Sequence, residues 1–282
     1  MNRYDLARDI PRPVKRAVRQ RVGFGCVFDG ALLTTYEHFD PEFVDCEEHR
    51  PEGITLLCPA CQALKTIGRL TNEMVAHQDR HPESRRRGHA WDSLTWTQGT
   101  PLTIVLGASQ FRSVAPVLTV HGVEVLKVSP PEDRGGPFQL SGRFFDSDES
   151  EVLRIVNNEI EVNSGSWDVE QVGQKITIRK QRGEITLSVA HVPPATFHVE
   201  RLNMNYKYHH LEILRSGALS IEMTDSPIGP HQVGEFTGQH VEMSGPIGIH
   251  IPAKGGFRLG LGRSTDSEPL LYPGWSWEPA KP

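Results

Sequence analysis

The fold is decided by residues 25–66, which hold three short pieces: GCVFDG at 25–30, YEHFDP at 36–41 and LLCPACQALKT at 56–66. Cys58 and Cys61 lie three positions apart, and two thiolates at that spacing reach one tetrahedral cation. Cys26 and Asp29 repeat the spacing earlier in the chain, and a carboxylate is also a zinc ligand. The sequence therefore predicts one zinc ion held by Cys26, Asp29, Cys58 and Cys61.

The identity of the fourth ligand stays open. Asp29 precedes Gly30, and Asp-Gly is also a strong hairpin-turn signal that needs no metal. Cys46, in the polar segment FVDCEEHRPEG at 43–53, is an alternative fourth ligand, and His49 competes with it. A surface loop without metal is the simpler interpretation of Cys46 and His49.

The layout of these pieces resembles the HNH endonuclease family (the ββα-metal nucleases), specifically the members stapled by two C-x-x-C knuckles. In that family an acidic residue and a His lie between the knuckles, where Glu37 and His38 stand here. The resemblance implies that Glu37 binds a divalent ion and that His38 deprotonates the attacking water. It also implies a small treble-clef zinc module over about the first third of the chain.

Two letters of the family motif are replaced. Gly53 stands at the family's Asn and Gln62 at its last His, whereas Lys65 and Thr66 match the family. A neutral amide is a poor ligand for a catalytic metal, and glycine has no side chain to orient a group. We therefore expect catalysis to be slower by orders of magnitude. Magnesium or manganese is expected as a cofactor only if activity remains.

Three functions are compatible with this damaged motif. The first is a nuclease-derived nucleic-acid-binding protein, with DNA as its partner, whose endonuclease site is inactive or weak. The second is an active HNH endonuclease that uses Glu37 and His38 with a rearranged second ligand. The third is a structural or interaction protein of a larger assembly, in which the zinc only stabilises the fold.

A basic stripe precedes the first knuckle. Pro11 and Pro13 suit the first turn of a helix, and four cations follow at i, i+3, i+4 and i+7: Arg12, Lys15, Arg16 and Arg19. A helix with one cationic stripe lies along phosphates. These four residues and Lys65 are therefore the candidate nucleic-acid contacts. A solvated helix face explains the same spacing.

Composition limits which partners and which cellular compartment the protein is expected to have. A net charge of −5 gives the whole protein no general attraction to nucleic acid. Four cysteines, two of them in a C-x-x-C, favour a reduced compartment and a metal over a disulfide framework. The sequence shows no secretory signal and no apolar run of membrane-spanning length, so it predicts a cytoplasmic protein without a membrane partner.

The chain after residue 100 is predicted to form a separate all-β domain. Short segments of period two, bounded by Gly, Pro and Asp, recur at a spacing of about 8–12 residues. The predicted fold class is α+β: a zinc module at 1–88, a linker at 89–99, an all-β domain at 100–265 (sandwich, barrel or β-stack) and a Pro/Trp-rich tail at 266–282. The β domain carries no catalytic motif and is the candidate surface for a protein partner or self-association.

Overall fold

The computed structural model describes residues 1–112, 116–133, 135–224, 231–236, 242–244, 247–251 and 258–261. The tail expected at 266–282 lies outside the described residues. Within these ranges the protein is α+β, with short helices near the N-terminus and long runs of strands after them. No helix in the described ranges is long and apolar enough to cross a membrane.

The described helices are α1 (Arg12–Val22), α2 (Pro59–Thr66), α3 (Asn72–Asp79) and α4 (Glu83–Arg87). Helix α1 has Pro13 in its first turn, where the missing N–H is not needed. It ends at Gly23, whose left-handed conformation (φ 78°) closes the helix without strain. Helix α3 begins after Thr71, whose hydroxyl accepts from the backbone N–H of Met74 at 3.3 Å.

Two strands belong to a small sheet, β1 (Thr35–His38) and β2 (Ile54–Leu57). The strands that follow are β3 (His89–Ser93), β4 (Thr103–Leu106), β5 (Ser109–Arg112), β6 (Pro116–Val120), β7 (Val123–Ser129), β8 (Gln139–Phe145), β9 (Glu151–Val156), β10 (Glu159–Asn163), β11 (Asp168–Val172), β12 (Lys175–Gln181), β13 (Glu184–Val192), β14 (Thr196–Tyr206), β15 (His209–Ile213), β16 (Leu219–Met223), β17 (His231–Phe236), β18 (Glu242–Ser244), β19 (Ile247–Ile251) and β20 (Arg258–Leu261).

The later strands form two large sheets. Within the described residues the first has eight strands, in the order β20-β19-β6-β7-β8-β9-β10-β3. The second runs from β11 to β17 in sequence order, with a branch of β4, β5 and β18 that leaves from β14. Buried residues of both sheets, such as Phe144 in the first and Phe197 in the second, belong to one hydrophobic cluster. The protein is thus mostly β-sheet, and its two large sheets share one hydrophobic cluster.

The N-terminal module has a small core of its own. Strands β1 and β2 are antiparallel, with Glu37 opposite Thr55 and His38 opposite Ile54. The side chains that pack between this sheet and α1 are apolar or are cysteines: Ile10, Val18, Val22, Cys26, Val27, Ile54, Leu56, Leu57, Cys58 and Cys61. The candidate metal ligands therefore form part of the module's core.

The module is joined to the β domain more closely than the expected linker at 89–99 suggested. Residues 89–93 of that linker form β3, which pairs with β10 along its whole length. The reason is burial, because Ala90 is fully buried and the backbone beside it has pairing partners on both edges. Phe24 and Leu32 of the module also belong to the hydrophobic cluster of the β domain.

Candidate metal centre and the adjoining cleft

The first half of the metal centre is a tight turn at residues 26–31. The backbone N–H of Gly30 donates to Cys26 O (2.8 Å), and the N–H of Cys26 donates to Ala31 O (2.8 Å). Gly30 has φ 78°, a conformation that glycine adopts readily. Asp29 Oδ1 accepts from Ala31 N (3.0 Å), which leaves Oδ2 to face the cysteines. The Asp-Gly turn and the carboxylate ligand are therefore compatible in one structure.

The second half of the centre is the start of α2. Cys58 is the residue before the helix, and its Sγ accepts from the backbone N–H of Cys61 at 3.4 Å. Pro59 lies in the first turn, where its missing N–H does no harm. This cap turns the thiols of Cys58 and Cys61 toward the first knuckle.

The two halves bring four ligand atoms together. Cys26, Asp29, Cys58 and Cys61 each offer one atom, and all four atoms lie within 4.8 Å of one another. Cys58 Sγ lies 3.0 Å from Asp29 Oδ2. Neighbouring ligand atoms of a tetrahedral site with Zn–S bonds of about 2.3 Å lie roughly 3.8 Å apart, so shifts of about an ångström are sufficient. The residues fit a metal ion, as predicted.

The environment of the thiols also fits metal binding. Burial raises the pKa of the Cys26 thiol, while backbone N–H groups of Cys58, Asp29 and Phe28 act in the opposite direction. Burial, together with the neighbouring Cys58, raises the pKa of Cys61 to about 12. N–H groups aimed at a sulfur stabilise a thiolate. A cation is what would allow these buried thiols to lose their protons together.

Cys46, the alternative fourth ligand, lies elsewhere. It is buried, and its thiol donates to Pro41 O at 3.3 Å instead of joining the other cysteines. The group of possible metal ligands in the described residues contains Asp29 and not Cys46. His49 is likewise outside that group. The structure therefore excludes Cys46 as the fourth ligand, because its thiol is bonded to Pro41 O and lies outside the ligand group.

Glu37, the expected ligand for a catalytic divalent ion, has both carboxylate oxygens engaged. Lys65 Nζ lies 2.7 Å from Oε1, and the Gln62 amide donates to Oε2 at 2.8 Å. Lys65 has only 11% of its side chain exposed, so this ion pair is shielded from water. Lys65, expected to contact nucleic acid, is therefore an internal partner of Glu37.

His38, the expected general base, is engaged as well. It is buried, and its Nε2 lies 3.0 Å from Nδ1 of His49. Nε2 of His49 lies 2.9 Å from Ala7 O, which can only accept, so His49 donates there. In a neutral ring Nδ1 of His49 then accepts, and His38 Nε2 is the donor. Burial, followed by the neighbouring His49, lowers the pKa of His38 below its usual value.

Gly53, at the position of the family's Asn, serves a close backbone approach. A Cβ added at residue 53 would lie 1.9 Å from Asp40 O. The Gly53 carbonyl accepts from the backbone N–H groups of Phe39 (2.9 Å) and Asp40 (3.3 Å). This contact closes the chain just after Glu37 and His38, so an asparagine does not fit here without backbone movement.

A polar cleft of about 370 Å³ opens beside Glu37 and His38. Its walls combine two acidic residues, two cations and several apolar or aromatic side chains: Arg8, Ile10, Tyr36, Glu37, His38, Glu42, Phe43, Val44 and Lys65. The volume is in the range of small-ligand sites. Its charges largely cancel, since Lys65 faces both Glu37 and Glu42.

The basic stripe of α1 turns mostly inward, which corrects the expected phosphate-binding surface. Arg19 is 7% exposed and donates from Nε to Asp168 Oδ1 and from Nη2 to Asp168 Oδ2, both at 3.0 Å. Arg16 lies 3.5 Å from the same carboxylate. Arg179 of the β domain also reaches Asp168, at 3.2 Å. Two members of the stripe therefore attach the module to β11 and β12.

The other two members of the stripe lie in the first turn of α1. Lys15 pairs with the exposed carboxylate of Asp9 at 2.8 Å, and its ammonium lies 6.0 Å from the centre of the Tyr36 ring. Arg12, at the start of α1, is exposed. Arg19 Nη1 also donates to Tyr36 Oη at 2.7 Å, next to Glu37 in sequence. The stripe is thus divided between an internal and an external face.

Sequence reasoning missed Asp168 and Trp91. Asp168 is fully buried and lies 149 positions from Arg19, so no local pattern could pair them. Trp91 lay in the expected linker, yet its indole N–H donates to Asp29 O at 2.8 Å. The five residues HAWDS show no regular alternation of apolar and polar side chains, so no local pattern marked this strand.

Comparison with protein-family models, curated proteins and solved structures found no match for this chain. The resemblance to HNH endonucleases therefore rests on the residues of 25–66. Within that stretch the ligand group is assembled in space, and Glu37 and His38 are each bonded to other side chains of the module.

Proposed function

We propose that the N-terminal module is a zinc-stabilised, HNH-like module without working nuclease chemistry. One Zn²⁺ is held by Cys26, Asp29, Cys58 and Cys61, three soft sulfur ligands and one carboxylate. No position is left over for a substrate, which is the hallmark of structural rather than catalytic zinc. The ion supplies folding free energy to a module whose core contains its own ligands.

The observation that carries the proposal is the pairing of Glu37. A divalent ion at this carboxylate would have to displace the Lys65 ammonium and the Gln62 amide, both in hydrogen-bonding contact. Hard cations rely on several oxygen or imidazole ligands together, and Gln62 replaces the imidazole that the resemblance requires. With His38 bonded to His49, the general base is engaged too.

The protein is then a structural or interaction component rather than an enzyme. The module is fixed to the β domain by the Asp168 carboxylate and its arginine partners. Gln20 also donates to Trp167 O (2.6 Å), and Arg85 donates to Ser164 O (2.8 Å). These contacts favour a single rigid platform that presents the module and the sheets to a partner.

A plasmid-nicking assay with magnesium or manganese tests this proposal. Wild type is expected to show no nicking above the background of the His38→Ala variant. Lys65→Ala combined with Gln62→His frees Glu37 and restores an imidazole, so weak nicking that His38→Ala abolishes is the expected gain. Efficient nicking by wild type that disappears in His38→Ala would overturn the proposal.

A second candidate is nucleic-acid binding without cleavage. It is favoured by the start of the stripe, since Arg12 is exposed and Lys15 pairs with an exposed carboxylate. Arg8 adds a third cation at the rim of the cleft. Duplex binding should then weaken in Arg12→Gln plus Lys15→Gln, and the salt slope should fall by about one unit for each phosphate that is no longer neutralised. An unchanged slope would exclude these residues as phosphate ligands.

A further inference from the structure

One residue of the β domain lies against the metal-binding turn at three points. The indole N–H of Trp91 donates to Asp29 O (2.8 Å), and the backbone N–H of Trp91 donates to Gly30 O (3.0 Å). The carbonyl of Trp91 accepts from the N–H of Leu32 at 2.7 Å. The Asp29 carbonyl and the backbone just after it are thus held by a residue that lies far from the ligands in sequence.

Trp91 is itself firmly placed. It lies in the middle of β3, directly opposite Glu161 of β10, and β10 continues into the eight-stranded sheet. The first knuckle adds a short parallel bridge on the other edge of β3, between Ala31 and Trp91. The sheet edge therefore extends to within two residues of the carboxylate ligand.

Asp29 is the ligand that most needs such support. Three thiolates come from short, capped segments, whereas the carboxylate competes with water and is the harder ligand of the four. Its Oδ1 is bound to Ala31 N, and its orientation follows the turn at 29–30. Outer hydrogen bonds that orient a ligand commonly change metal affinity by 10- to 100-fold, as a rough range.

We propose that Trp91 is a positioning residue of the metal centre: its indole N–H holds the Asp29 carbonyl, and with it the turn that directs the carboxylate toward the three cysteines. The β domain thereby sets the metal affinity of the N-terminal module. The inference rests on the proposed zinc site, and it adds a residue outside the module that the resemblance covers.

Trp91→Phe in the full chain tests the inference, because it removes the indole N–H and keeps the backbone pairs of β3. The affinity for Zn²⁺, measured by competition with a chromogenic chelator, is expected to fall about tenfold. The d–d absorption of the Co²⁺-loaded protein is expected to change as the carboxylate moves. A purely structural role would lower the stability of metal-free and metal-bound protein alike and leave both readouts unmoved.

Two further variants make the outcome specific. Trp96→Phe is the matched control, since Trp96 Nε1 also donates to a β-domain acceptor, Asn158 Oδ1 (2.9 Å). It should leave Zn²⁺ affinity and the Co²⁺ spectrum unchanged. In an Asp29→Ala background, Trp91→Phe should have no additional effect, because the ligand it positions is gone.

The inference is overturned if Trp91→Phe leaves Zn²⁺ affinity and the Co²⁺ spectrum as in wild type. It is also overturned if Trp96→Phe weakens Zn²⁺ binding equally, or if the loss persists undiminished without the Asp29 carboxylate. Failure of wild type to bind Zn²⁺ at all would instead contradict the proposed zinc site, so the two failures are distinguishable.

Discussion

The polar residues at the two ends of the small β1–β2 sheet have different kinds of partner. At one end the ligand atoms of four residues all lie within 4.8 Å of one another: Cys26, Asp29, Cys58 and Cys61. At the other end Glu37 and His38 point at side chains of the same module, Lys65 and Gln62 for the acid and His49 for the imidazole. The first arrangement is completed by a cation from outside, and the second is already complete.

This difference shows how a module can keep a metal-dependent fold while its catalytic position is closed. Three of the four ligands, the cysteines, belong to the module's core, so their loss would expose or leave unpaired several buried groups. The Glu37 site is polar and open to a cleft, where an ammonium and an amide neutralise the acid without a metal. Under the proposed function, folding depends on the first site and not on a metal at the second.

The largest effect is expected at the cysteine end. Cys58→Ser removes a thiolate ligand but leaves a hydroxyl that still caps α2, so bound zinc should be lost and the module destabilised by several kcal/mol, of order 5. Metal content and thermal unfolding followed by far-UV circular dichroism measure the two losses. Cys46→Ser is the matched control, because Cys46 is equally buried but lies outside the ligand group. Loss of zinc in Cys46→Ser would contradict the ligand assignment.

A smaller effect on stability is expected where β1, the strand beside the cleft, is linked to the β domain through Tyr36 and Arg19. Arg19→Met leaves the fully buried Asp168 with fewer partners and frees Tyr36 Oη, so unfolding should become easier by about 3 kcal/mol. Denaturant melts of Arg19→Met and of the exposed Arg12→Met give the comparison, with the control expected within about 0.5 kcal/mol of wild type. Equal effects in the two variants would show that Arg19 is not specially placed.

The next largest effect on stability is expected at Gly53, whose backbone lies close to Asp40 O. Gly53→Asn places a Cβ 1.9 Å from Asp40 O, and relieving that overlap should cost about 2 kcal/mol of unfolding free energy. Gly68→Asn is the control, since residue 68 has φ 75° and nothing within 4 Å of an added Cβ. Asparagine tolerates that conformation. A Gly53→Asn variant as stable as Gly68→Asn would refute the steric account.

The smallest effect concerns the protonation of His38. Burial and the neighbouring His49 hold its pKa below the ordinary value of 6.5, so the unfolded chain takes up this proton at higher pH than the folded one. The contribution of His38 to stability should therefore be present above pH 6.5 and be lost as pH falls from there through the folded pKa. An NMR titration of the His38 ring measures that pKa. A value above 6.5 would contradict the buried, His49-bonded geometry.

The sequence predicted those features of the structure that depend on residues close together in the chain. The C-P-A-C and C-V-F-D spacings predicted the ligand group, because each half is a local turn. Period-two patterning likewise predicted strands such as β8 and β15, whose alternating burial is a local property. The start of α1 after Pro11 followed from the same kind of local rule.

Contacts between distant segments were not predictable in this way. Asp168 stands among ordinary strand residues, and only its approach to Arg19 reveals why a carboxylate is buried there. Trp91 was assigned to a linker because five residues are too few to separate a strand from a loop by pattern alone. The sequence showed that Gln62 replaced a histidine, but not that its amide would bond to Glu37.

The central claim is that one end of the small sheet binds a metal and the other does not. Metal counting on the same purified protein tests it: zinc by elemental analysis, and manganese by equilibrium dialysis followed by electron paramagnetic resonance. We expect one zinc per chain, lost in Cys58→Ser, and no manganese binding that depends on Glu37. Well below one zinc per chain, or a bound manganese that Glu37→Gln removes from wild type, would contradict it.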